Sequence, residues 1–142
     1  MTIPKEVQEY AWNWFEYHAG QRLTAFRYYL MFVGILAVAF NNGLESANYL
    51  FASTVAGLGA FVSMAFLALE VRNEALVNVG RDALMEIEKS PGYPDSKKLQ
   101  LLTVDRGREG ISSHKTWLRL IYLAIAILFA IAAFDPSAIN MA

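Results

Sequence analysis

The stretch "SANYLFASTVAGLGAFVSMAFLALEVRN", Ser46 to Asn73, carries no charge until Glu70 and Arg72. Its 24 uncharged residues, Ser46–Leu69, would rise roughly 36 Å as a helix, against a bilayer hydrocarbon core of about 30 Å. At this length a helix is expected rather than a strand. Two further runs flank it. Tyr28–Leu44 is uncharged between Arg27 and Glu45, and Leu120–Phe134 lies between Arg119 and Asp135. The last reaches spanning length if Thr116–Leu118 join it and Arg119 extends its charged head to the interface. Three such runs exceed what one small soluble core can bury.

The composition agrees. Of 142 residues, 56% are hydrophobic and 18% charged, with a mean hydropathy of +0.31; soluble domains average about 45–50% apolar and about 25% charged. The cations are also sorted. Lys5, Arg22 and Arg27 precede the first run. Arg72, Arg81, Lys89, Lys97, Lys98, Arg106, Arg108, Lys115 and Arg119 lie between the second and third runs or at their edges. The 41–48 turn and the tail after Phe134 have none. Basic residues stay on the cytoplasmic side during insertion. The expected topology is therefore a cytoplasmic N-terminus and an outward C-terminus. The N-terminal MTIPKEVQEYAWNW, acidic and aromatic, is not expected to be a cleaved signal peptide.

The expected fold class is an all-α integral membrane protein. Its parts are an amphipathic cytoplasmic helix (1–22), spans at 23–44, 46–69 and 116–137, and a cytoplasmic helix and loop (70–115). Pro4 and the nearby Glu6 and Glu9 suit a helix start, and Ser90-Pro91-Gly92 suits a helix end. Leu76, Val79, Ala83, Leu84 and Ile87 form one apolar stripe on the extension of the second span, which predicts packing against the N-terminal helix. The polar stretch that follows predicts a loop with a short helix near LQLL. Arg27, Glu70 and Arg119, at the inner ends of the spans, are expected to form an interhelical charge cluster; the alternative is separate extension to the headgroups.

Ala52, Ala56, Gly57, Gly59 and Ala60 on the second span let helix backbones approach closely. They serve packing within one chain or self-association. Three thin spans cannot enclose a conduit, so transport would require a homo-oligomer, with Asn41, Asn42, Asn48, Ser53, Thr54 and Ser63 as pore-lining candidates. No charged ring lies mid-membrane, which argues against selectivity by fixed charge. Cysteine is absent and the two histidines, His18 and His114, are far apart, so no metal site is expected. Nor is a cofactor or an enzyme: no Walker loop, GxSxG or paired catalytic carboxylates occur. The segment from Arg108 to His114 does match the loose arginine–histidine spacing of HEPN ribonucleases, which leaves a membrane-tethered ribonuclease as one alternative. A non-conducting scaffold that anchors a cytoplasmic partner is the other.

Three segments, "YHAGQR" (17–22), "LEVRNEAL" (69–76) and "SHKTWLRLIY" (113–122), resemble those of small multi-span bacterial inner-membrane proteins similar to the membrane effectors of anti-phage defence, the Hailong type among them. The resemblance implies an oligomeric channel, encoded beside a nucleotidyltransferase, controlled by a nucleotide or oligonucleotide and depolarising the cell when open. It also implies His18, Arg22, Arg72, Arg106 and Arg108 as ligand-binding residues.

Overall fold

The computed structural model describes residues 3–91, 93, 100–105 and 114–139. Among these the protein is helical, with no strand. The elements are α1 (Lys5–Glu45), α2 (Tyr49–Glu88), α3 (Leu101–Asp105), α4 (His114–Phe134) and a 3-10 turn at Pro136–Ile139. α1 begins directly after Pro4, whose carbonyl accepts the Val7 and Gln8 N–H groups. The expected amphipathic helix and first span are one continuous element. No proline interrupts 5–45, and Gly20, at the join, costs a helix only about 1 kcal/mol relative to alanine. α2 likewise runs unbroken from the second apolar run into the polar sequence and stops at Glu88, just before Ser90 and Pro91.

The turn between α1 and α2 is short because each helix supplies its own ending. Ala47 adopts φ 52°. The Asn48 N–H bonds the Gly43 carbonyl at 2.9 Å and the Ala47 N–H bonds the Leu44 carbonyl at 3.0 Å. This pair closes a helix through a left-handed residue, a place usually held by glycine. Asn48 then caps α2, its Oδ1 accepting the Phe51 N–H at 3.1 Å.

The chain divides into two compact units. One comprises Met1–Leu23 and Val71–Trp117, the other Thr24–Glu70 and Leu118–Ala142. The apolar unit contains two clusters. Phe40, Ala52, Val55, Ala56 and Ala132 are buried together, with Phe129 packed against them. Tyr29, Leu118 and Tyr122 form the other, with Phe26 and Phe66 at its edge. Small residues make the first cluster possible. A Cβ on Gly59 would sit 2.7 Å from the Phe129 ring, so ring and backbone meet only because that atom is missing.

Among the described residues, three helices are long and apolar enough to cross a membrane. Only 11%, 28% and 22% of their most apolar windows are buried inside the chain. Most of this surface therefore faces outward, as it does in proteins solvated by lipid or covered by further chains.

In the other unit α1 packs on α2. The Trp14 indole N–H donates to the Leu76 carbonyl at 3.1 Å. A Cβ on Gly80 would lie 3.0 Å from the Phe15 Cα and from Trp14 Cδ1. The buried face of α2 overlaps the expected stripe in part, with Leu76 and Leu84 half-buried. Val77, Gly80, Met85 and Ile87 are buried, whereas Val79 is 60% exposed and Ala83 is exposed. α3 supplies the expected short helix.

Candidate functional site

The apolar unit contains a buried polar seam. The Tyr29 hydroxyl donates to Ser63 Oγ at 3.0 Å, and Ser63 donates onward to the Gly59 carbonyl at 2.8 Å. Tyr29 and Ser63 are fully buried. The Tyr29 ring packs 4.5 Å from Tyr122 and 5.3 Å from Phe66. Ser63 thus lies inside the packed helices. The other pore-lining candidates are spread over the unit's surface. Asn41 is exposed and donates to Glu45 Oε1 at 2.6 Å. Exposed Asn42 offers its carbonyl to the Ser46 N–H and hydroxyl. Asn48 is spent as a helix cap. Thr54 is exposed and bonds back to the Leu50 carbonyl at 2.8 Å, while Ser53 is half-buried.

The packing candidates separate in the same way. Ala52 and Ala56 are fully buried and Gly59 is buried against Phe129, whereas Ala60 is half-buried and Gly57 is exposed with nothing within 4 Å of a Cβ placed there. In the charge trio, Glu70 is 2% exposed, Arg119 half-buried and Arg27 exposed. Glu70 and Arg119 each engage other groups; Arg27 lies on the surface.

Of the ligand candidates, His18 and Arg22 are half-buried one turn apart on α1, and Arg72 is exposed on α2. His18 sits in an aromatic sleeve, 4.6 Å from the Trp14 ring and 5.1 Å from that of Tyr17. Its Nδ1 is buried without a hydrogen bond. Arg106 and Arg108 lie outside the described residues, as does the span between Arg108 and His114; His114 opens α4, and its side chain is likewise undescribed. Among the described residues no cluster of three or more histidines, aspartates or glutamates is arranged to hold a metal.

The unit of Met1–Leu23 and Val71–Trp117 holds a feature that periodicity alone does not reveal. A cavity of about 680 Å³ is bounded by Trp12 and Phe15 of α1, Leu84, Ile87 and Glu88 of α2, Tyr93, and Leu101 and Leu102 of α3, with Lys5, Gln8, Glu9 and Asn13 completing its lining. Glu88 ties one wall in place. It accepts the Leu102 N–H at 3.1 Å, the Thr103 N–H at 3.0 Å and the Thr103 hydroxyl at 2.7 Å. Burial alone would push the Glu88 carboxyl up, but these donors outweigh it and hold it below the usual glutamate value. A second, smaller groove of about 460 Å³ is lined by Ile3, Val7, Tyr10, Ala11, Trp14, Val79 and Ala83 among others.

No family profile and no solved structure match the chain. CD-NTase-associated protein 19 of Escherichia coli is 31% identical over 139 residues, covering 92% of this chain and 90% of that protein.

Proposed function

Because the chain belongs to the family of CD-NTase-associated protein 19, we propose that it is the membrane effector of a nucleotidyltransferase-linked anti-phage defence system. Several copies assemble into a channel or pore that depolarises the inner membrane when a nucleotide or the partner enzyme signals infection. The N-terminus is cytoplasmic and the C-terminus outside. The observation that carries the reading is the near full-length relationship to a protein named for its association with such an enzyme. That name is not specific to the Hailong type.

The apolar helices support the membrane part. Leu50 is 81% and Phe61 72% exposed, surfaces that lipid or a neighbouring copy covers at little cost. The buried seam supports the need for several copies. In one chain Tyr29, Ser63 and Tyr122 fill the space between the helices with side chains, and a conduit then has to form between chains. Exposed polar Asn41, Asn42 and Thr54 are available for such an interface.

A non-conducting scaffold is the second reading, favoured by the open groove of Val7, Tyr10, Val79 and Ala83. Planar-bilayer recording of the purified protein separates the two. Discrete current steps, spontaneous or evoked by extract from phage-infected cells, establish the channel. A folded oligomer that stays silent under both conditions sinks it and leaves the scaffold.

A further inference from the structure

The cavity beside Trp12 has features that select a ligand. Its size falls within the range of about 300–1,000 Å³ usual for small-molecule clefts. The two tryptophans of α1 differ in availability. Trp14 is committed to the Leu76 carbonyl, while Trp12 is 52% exposed and presents its indole to the cavity. Next to it, the Asn13 amide makes no side-chain hydrogen bond among the described residues. An open aromatic face beside an unused amide is the pairing by which proteins stack a flat ring and read its edge. Among the described lining residues the charges form no anion site. Lys5, the cation among the described lining residues, is bridged to Glu9 at 3.3 Å, and the other charged group on the wall is the carboxylate of Glu88.

We propose that this cavity binds an uncharged, planar heteroaromatic ring with amide-like edges, stacked on Trp12 and read by Asn13, with Glu88 as the positioning residue that holds the α3 wall against it. Two sources supply that chemistry. One is the base of a nucleotide whose phosphates remain outside the cavity, and this source rests on the function proposed above. The other is a free base-like metabolite, which does not.

The test uses the full-length protein in lipid nanodiscs and isothermal titration calorimetry. The probes are adenosine, guanosine, cytidine and uridine, their 5′-monophosphates, and inorganic pyrophosphate. At least one nucleoside or monophosphate should bind saturably. Trp12→Ala should weaken that binding about tenfold or more, the usual scale of one lost stacking contact, while Trp12→Phe retains most of it. Asn13→Ala should change the preference among the four bases. Glu88→Gln should weaken binding and raise amide exchange at 101–105, which a merely local packing role for the cavity would not couple. Pyrophosphate should neither bind nor compete. A monophosphate that binds much more tightly than its nucleoside, with the same Trp12 dependence, assigns the nucleotide source; equal affinities assign the free ring. The proposal is overturned if pyrophosphate competes, if folded Trp12→Ala binds as the parent does, or if no nucleoside or monophosphate binds. Trp12 is half-exposed, so its replacement is not expected to unfold the helix, and helix content and thermal midpoint check this. Binding is read without current. A protein that takes the ring and never conducts overturns the channel and keeps the cavity; one that conducts without taking it does the reverse.

Discussion

The contact between Gly59 and Phe129 gives the sharpest stability prediction. Alanine at 59 would place its Cβ 2.7 to 2.8 Å from three atoms of the Phe129 ring, about 0.7 Å or more inside ordinary carbon–carbon contact. The ring cannot simply swing clear, because it packs on the cluster of Phe40, Ala52, Val55, Ala56 and Ala132. Overpacking of this kind costs about 1–3 kcal/mol. Against it stands the helix-propensity gain of glycine to alanine, about 1 kcal/mol. Gly59→Ala should therefore destabilise by about 1–2 kcal/mol, and Gly59→Val by more. The control is Phe129→Leu, which opens room at the cost of a smaller side chain. The double variant should be more stable than the sum of the single effects by about 1 kcal/mol, within the usual coupling for touching residues. The assay is reversible unfolding of the detergent-solubilised protein followed by helical circular dichroism. A neutral or stabilising Gly59→Ala, or strict additivity with Phe129→Leu, would refute the close approach of α2 and α4.

Four further outcomes are expected. Ala47→Gly should stabilise by about 0.5–1 kcal/mol, because the left-handed φ of 52° strains alanine and not glycine; the same unfolding assay reads it. Ser63→Ala should cost more than Tyr29→Phe. The first leaves the buried Tyr29 hydroxyl without its acceptor, about 1–3 kcal/mol, whereas the second leaves Ser63 its bond to Gly59, about 1 kcal/mol. The α3 wall should be pH-sensitive in one direction. Glu88 has a depressed folded-state pKa, so its stabilisation is full above the unfolded value of about 4.3 and is lost as pH falls through the folded value. Intrinsically corrected exchange at Leu102 and Thr103 should stay slow at neutral pH and quicken in acid, and Glu88→Gln should abolish that dependence. Finally, the chain has no cysteine, so single cysteines report topology cleanly. In intact spheroplasts a membrane-impermeant maleimide should label Asn41→Cys and spare Glu86→Cys; the reverse pattern would invert the proposed orientation.

Much of the fold was legible because charge and hydropathy act at the scale of whole helices. The uncharged runs place the apolar parts of α1, α2 and α4, and Ser90-Pro91 marks the end of α2. What eluded the sequence depends on single contacts. Gly80 lets α2 meet Phe15 closely while Val79 stays largely exposed, a difference that no apolar count along one helix contains. Ser63 reads as a polar residue seeking water or protein; that it seeks Tyr29 is a fact of packing between segments far apart in sequence. The cavity was the least legible feature. It needs Trp12, Glu88 and Leu102 together, and Glu88 looks like any surface glutamate at a helix end until the amides it accepts are known.

The turn at Ser46–Asn48 also bears on biogenesis. Between Arg27 and Glu70 the chain carries a single charge, Glu45, and its carboxylate already accepts the Asn41 amide. Several backbone groups at the helix ends, the Ala47, Asn48 and Phe51 N–H among them, are met within the turn itself by Leu44, Gly43 and Asn48. Each group so paired is one fewer that must shed water when a nascent hairpin crosses a bilayer. On the proposed topology the two apolar helices would enter as one preformed wedge, tip first, instead of threading one after the other, with a tip that carries one ionisable side chain.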